Sequence, residues 1–195
     1  MFEGYFIQYK FILPAETQHS SYTYQKLFRA IYGYTQKVTK SSGKSYTYYR
    51  KGILSDVPYI RPGKNAVIIP KEAFTELISF FNTGKNPSHH WKTKGDWKAV
   101  YYMDEKKLEE PVVLKALEGL IDRTHVCIQE TQFEKLLPSM RDIIEKTTSG
   151  QEIDKARKEI SLKAAQNIIS KPWLRELKEK PKKITELIEL YNKIK

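Results

Sequence analysis

Residues 20–50 read SSYTYQKLFRAIYGYTQKVTKSSGKSYTYYR, and their hydrophobic period changes half-way along. In the first part Leu27, Ile31 and Tyr34 share a face with Tyr24, the spacing of an amphipathic helix, which predicts a helix over residues 20–33. In the second part residues 36–40 and 44–50 alternate with period two on either side of Ser41-Ser42-Gly43, where glycine supplies the positive φ that closes a hairpin. On the second arm Lys44, Tyr46, Tyr48 and Arg50 fall on one face, and Ser45, Thr47 and Tyr49 on the other. A helix that leads into an antiparallel hairpin belongs to the α+β class.

The flanks extend this pattern. Residues 5–13, YFIQYKFIL, form a β-rich run closed by Pro14. Past the hairpin, Pro58 and Arg61-Pro62-Gly63-Lys64 mark turns, and residues 66–69 read as a short buried strand. Pro70 stands where a helix starts; Phe74, Leu77, Ile78 and Phe81 then recur at i, i+3, i+4 and i+7 up to Gly84, a helix stop. A polar loop over residues 82–96 holds His89, His90 and Trp91, and residues 97–103, WKAVYYM, resemble one more strand. From about Asp104 the sequence turns charged and helix-forming. Residues 111–122, 131–146 and 151–170 carry apolar side chains at helical spacing, with Ser149 and Glu152 placed as a capping box. Two proline-led segments follow, 172–180 and 181–195. The expected architecture is an N-terminal mixed sheet with a hairpin and two helices over residues 1–104, then a mostly helical region over 105–195. The boundary is a shift of composition rather than a linker.

Charge is distributed far less evenly. Residues 17–71 hold ten Lys or Arg and a single acid, Asp56, while the other 140 residues carry 24 bases against 22 acids. The stretch therefore accounts for +9 of the formal +11, and it also holds eight of the thirteen tyrosines. Cations that replace counterions on phosphate, interleaved with rings that stack on bases, are what a nucleic-acid surface needs. A hairpin made soluble by lysines is the plainer reading, but such a surface ordinarily mixes both signs. The expectation is a DNA- or RNA-binding protein that uses Lys26, Arg29, Lys37, Lys40, Lys44, Tyr46, Tyr48, Arg50 and Lys51, extended by Arg61 and Lys64. The nearly neutral C-terminal helices would scaffold that face, self-associate or recruit a protein partner.

The remaining residues narrow the alternatives. At 195 residues and 40% hydrophobic content the chain suffices for one substantial core or two small ones. No apolar run approaches the roughly 20 residues that span a bilayer, and Glu3, Gln8 and Lys10 interrupt the N-terminal hydrophobics. These features predict a cytoplasmic protein without a membrane partner. The lone Cys127 forms neither an internal disulfide nor a thiolate metal site, in accord with a reducing compartment, and Glu outnumbers Asp 17 to 6, a thermophile-like bias. No phosphate loop, dinucleotide fingerprint or nucleophile pair is present, so no catalytic residue, metal or cofactor is assigned. A metal-dependent nuclease built from scattered acids such as Asp96, Asp104 and Asp122 is the enzyme alternative, and a helical adaptor is the third reading.

Four local strings bear on function as well. The helix and hairpin of residues 22–44 resemble the end of a winged-helix domain, although too little chain precedes them to present the helix. Residues 117–122, LEGLID, resemble the front of the LAGLIDADG motif of homing endonucleases; Thr124 and His125 stand where that family has its metal-binding acid and glycine, so no catalytic carboxylate comes with the likeness. Residues 74–81, FTELISFF, are similar to a sliding-clamp-binding box with Phe74 in place of its glutamine, and read better as a core helix. Asp104, Glu105, Glu109 and Glu110, interleaved with Lys106 and Lys107, read as a solvated helix start rather than a magnesium site.

Overall fold

The N-terminal β-rich run is one long strand, β1 (Phe2–Ile12), in the computed structural model, which describes residues 1–18, 20–85, 97–129 and 132–195. Ile7, Tyr9 and Phe11 are buried while Gln8, Lys10 and Ile12 between them are exposed, the alternation of a strand covered on one face. After β1 come α1 (Tyr22–Tyr32), the hairpin β2 (Tyr34–Thr39) and β3 (Ser45–Arg50), then β4 (Ile60–Gly63) and β5 (Ala66–Pro70). A 3-10 turn leads into α2 (Phe74–Thr83), and β6 (Lys98–Leu108) follows. The sheet order is β4-β5-β1-β6, antiparallel at every pair. With the β2–β3 hairpin set aside as an insertion, this is a β-α-β-β-α-β path in the split arrangement of ferredoxin-like topologies.

Contacts divide the chain into two compact units, Met1–Tyr34 with Arg50–Val113, and Thr35–Tyr49 with Leu114–Lys195. In the first, α1 and α2 cover one face of the sheet. Leu27, Ala30 and Ile31 of α1 and Leu77, Phe80 and Phe81 of α2 join Ile7, Tyr9, Phe11, Val67 and Ile69 in one core. Ser21 caps α1 by accepting from the Tyr24 amide, and Gly84 ends α2 in the left-handed conformation (φ 67°) that glycine adopts without strain. The Tyr9 hydroxyl meets that of Tyr32 at 2.9 Å, and burial pushes the Tyr9 phenol far above its ordinary range. Where the chain leaves α1 and later returns from the hairpin, Gly33 and Gly52 pack backbone to backbone: a Cβ on Gly52 would lie 2.2 Å from the Gly33 nitrogen and 2.6 Å from the Ile31 carbonyl oxygen.

The second unit contains the β2–β3 hairpin, the C-terminal part of α3 (Glu110–Arg123), a second hairpin β7 (His125–Gln129) and β8 (Gln132–Lys135), then α4 (Leu136–Thr148), α5 (Lys155–Ile169), the short α6 (Pro172–Arg175) and α7 (Lys182–Ile194). Helices α4, α5 and α7 pack on one another, and β7 and β8 pack against α5 and α4. The nearly buried Arg157 ties these pieces together. Its Nε donates to Ser139 Oγ at 3.1 Å, and its guanidinium pairs with Glu134 of β8 and Asp142 of α4. Hydrogen bonds from Lys146 and Arg157 outweigh desolvation and hold the Asp142 carboxyl below its ordinary range.

The α+β expectation holds. Three boundaries differ. The charged residues 104–108 continue β6 rather than starting a helix, because Phe2 to Phe6 offer them antiparallel partners out to Leu108; the expected boundary near Asp104 therefore lies inside a strand. Residues 132–135, expected within a helix over 131–146, form β8 and pair with β7, with Val126 opposite Glu134 and Phe133 opposite Cys127. The first turn of α5 is capped by Asp154, which accepts from the amides of Ala156 and Arg157, and not by the Ser149 and Glu152 pair.

Candidate nucleic-acid interface

The hairpin turn has the expected geometry. Gly43 lies at φ 76°, its amide donates to the Lys40 carbonyl at 2.9 Å, and the Lys40 amide donates to the Lys44 carbonyl at 2.9 Å. Thr39 and Ser45 hydroxyls meet across the strands at 2.9 Å. This frame presents Lys37, Lys40 and Lys44 as exposed side chains around the tip. Lys40 Nζ sits 4.7 Å from the centre of the Tyr46 ring, a cation–π contact made by an exposed lysine. Tyr46 and Tyr48 are half-buried rather than open. On the other face Tyr49 packs on His125 (4.8 Å between ring centres) and approaches Phe133 (6.5 Å), which fastens the hairpin within the helical unit.

The other expected residues belong to the sheet unit. Lys26 and Arg29 are half-buried on α1, and the Arg29 guanidinium lies over Tyr34 at 5.0 Å and Tyr22 at 5.6 Å. Arg50 and Lys51 are exposed where the chain returns from the hairpin, with Lys51 Nζ bound to both oxygens of Asp56 at 2.8 and 3.1 Å. Arg61 is exposed and stacks over Tyr32 at 4.4 Å. Lys64, also exposed, occupies the turn between β4 and β5. The structure thus distributes the expected face over two units: Lys37, Lys40, Lys44, Tyr46 and Tyr48 on one, and Lys26, Arg29, Arg50, Lys51, Arg61 and Lys64 on the other.

The chain matches no known protein family, curated protein or solved structure. What it does must therefore be argued from its own side chains.

Most tyrosines of the basic stretch serve packing. Tyr24 packs edge-on against Phe28, Tyr32 lies tilted against Tyr59, and Tyr32 pairs with Tyr9, so only Tyr22 of this group is broadly exposed. The carboxylates considered as metal ligands separate as well. Asp104 and Glu105 point to opposite faces of β6, the first pairing with Lys106 and the second with Lys71, and Asp122 pairs with Lys183. Among the described residues no three His, Cys, Asp or Glu side chains converge on a common point. His89, His90, Trp91, Lys92 and Asp96 lie outside the described residues. Leu77, Phe80 and Phe81 of the clamp-box string are buried in the core. After LEGLID a strand pair does follow, but Thr124 and His125 still stand where that motif has its acid and glycine.

A surface that sequence reasoning did not single out lies on the sheet face opposite α1 and α2. Directly paired residues share a face, so Gln8, Lys10 and Ile12 stand beside Tyr102, Val100 and Lys98. This half of the face is open: Tyr102 is 61% exposed, Val100 49% and Ile12 48%.

Proposed function

We propose that this protein binds nucleic acid, with Lys37, Lys40 and Lys44 of the hairpin as its principal phosphate contacts and Lys26, Arg29, Arg50, Arg61 and Lys64 as further ones. The observation that carries this reading is the hairpin itself: residues 35–49 hold three exposed lysines and no acid, so nothing within the hairpin neutralises them. A hairpin that needed charge only for solubility or edge protection would be served by mixed signs. Tyr46, half-buried beneath Lys40, supports that lysine more than it offers a face to bases.

The test is fluorescence anisotropy with labelled single- and double-stranded DNA and RNA at several salt concentrations. Replacing Lys37, Lys40 and Lys44 with Glu is expected to lower affinity at least about a hundred-fold at low salt. It should also flatten the log–log salt dependence by about 0.9 for each phosphate that is no longer neutralised on duplex DNA. Unchanged affinity in a variant that melts like the parent would refute the reading.

A further inference from the structure

We propose that the open half of the four-stranded sheet is a platform for unpaired bases, with Tyr102 as the stacking ring and Lys10 and Lys64 as the phosphate anchors. This rests on the nucleic-acid reading above and deepens it, because it names the class of nucleic acid as single-stranded. Gln8, Lys10, Lys64, Asn65, Val100 and Tyr102 line one cavity of about 760 Å³ within the sheet unit, whose wall is completed by Tyr9, Phe11, Tyr24 and Tyr101. That volume falls among those of sites that hold small ligands, roughly 300–1,000 Å³, and suits one or two nucleotides.

Three observations choose the occupant. First, the cavity has a sign. Its lining includes two lysines and no carboxylate, and Lys98 stands on the same face opposite Ile12. The nearest acid along that face of β6, Asp104, is already paired with Lys106 at 2.6 Å. Second, Lys64 is held in place. The Tyr9 amide donates to the Asn65 carbonyl at 2.9 Å, and Asn65 adopts a left-handed conformation (φ 57°), so the β4–β5 turn is drawn against the middle of β1, one residue from Lys10. Third, Tyr102 and Val100 alternate along an edge strand and are both exposed, Tyr102 more so than neighbouring Tyr101, whose ring packs on Phe81 and also borders the cavity. An aromatic ring standing on a sheet among cations offers a π-face, and bases inside a duplex have theirs already covered by their neighbours. Unpaired bases supply both the free face for Tyr102 and the phosphates for the lysines. Gln8 adds an amide able to hydrogen-bond base edges.

Binding of labelled oligo(dT), oligo(U) and a duplex of equal length separates this inference from the one it rests on. Tyr102→Ala, and separately Lys10→Glu, should each weaken one or both single strands about ten-fold or more while leaving the duplex nearly unchanged, and Tyr102→Phe should retain binding. The oligo(dT) and oligo(U) arms show which backbone the platform prefers. If these variants leave single-strand binding intact, or weaken single strands and duplex alike, while reversal of the hairpin lysines still lowers affinity, the platform is refuted and nucleic-acid binding stands. If the parent protein binds none of the probes, both readings fall. Tyr102 is exposed, so Tyr102→Ala should melt like the parent, and thermal melting of each variant separates a binding effect from misfolding.

Discussion

The basic, tyrosine-rich stretch looks uniform in sequence, yet its two parts are used differently. In α1 and the turns around β4, which belong to the sheet unit, cations are engaged: Arg29 lies over two rings, Arg61 over Tyr32, and Lys51 is bound to Asp56. Of the tyrosines there, Tyr24, Tyr32 and Tyr59 pack against the core, while Tyr22 is exposed. In the hairpin, which belongs to the helical unit, Lys37, Lys40 and Lys44 are exposed and no acid stands among them. Composition alone thus does not say which charges are available to a ligand. Availability depends on what else touches each side chain, and that follows from packing.

Within the sheet unit, the crossing of Gly33 and Gly52 should be the most sensitive point. A methyl group on Gly52 has no room, because the atoms it meets are backbone on the neighbouring segment rather than a side chain that can swing aside. Gly52→Ala is expected to destabilise the fold by about 3 kcal/mol or more, measured by denaturant unfolding. A cost below about 1 kcal/mol would mean that the crossing of the two segments relaxes freely.

The rings should show the next largest effect. Tyr32→Phe leaves the Tyr9 hydroxyl buried without its 2.9 Å partner and should cost about 1–2 kcal/mol. Lys40→Ala removes only an exposed cation on the Tyr46 ring, worth about 0.5 kcal/mol. Equal costs in the two variants, read from the same unfolding curves, would erase the distinction between structural tyrosines in the sheet unit and the supporting one in the hairpin.

Much of this fold was legible residue by residue. The alternation in β1, the Gly43 turn and the helical spacing of α1 and α2 are local signals, and each element appears where its period placed it. Two elements were hidden for a physical reason. Residues 104–108, DEKKL, have no strand composition of their own and extend because β1 supplies partners along its length. Residues 124–135 contain no Gly, Pro or Asn to punctuate a hairpin, so the strand pair there left no turn signal. The candidate surfaces divide likewise. The hairpin lysines are visible in the sequence, whereas Lys10, Val100 and Tyr102 lie on strands whose outward face can be told only once the helices are known to cover the other.

The smallest expected effect is also the most direct probe of the comparison. Asp56 is the one acid in residues 17–71, and both of its oxygens contact Lys51, each side chain being about half exposed. An exposed pair of this kind adds little to stability, so Asp56→Asn should change unfolding free energy by less than about 0.5 kcal/mol. Its consequence should appear in binding. Released from its carboxylate, Lys51 becomes available to phosphate, which should raise affinity for nucleic acid a few-fold and steepen the salt dependence by up to about 0.9 on duplex DNA. Lys51→Gln in the parent protein should cost almost nothing in affinity, because its charge is already answered, whereas Lys40→Gln should cost measurably more. If Lys51→Gln and Lys40→Gln weaken binding equally, local pairing does not decide which cations serve the ligand, and the whole stretch acts as one diffuse positive field.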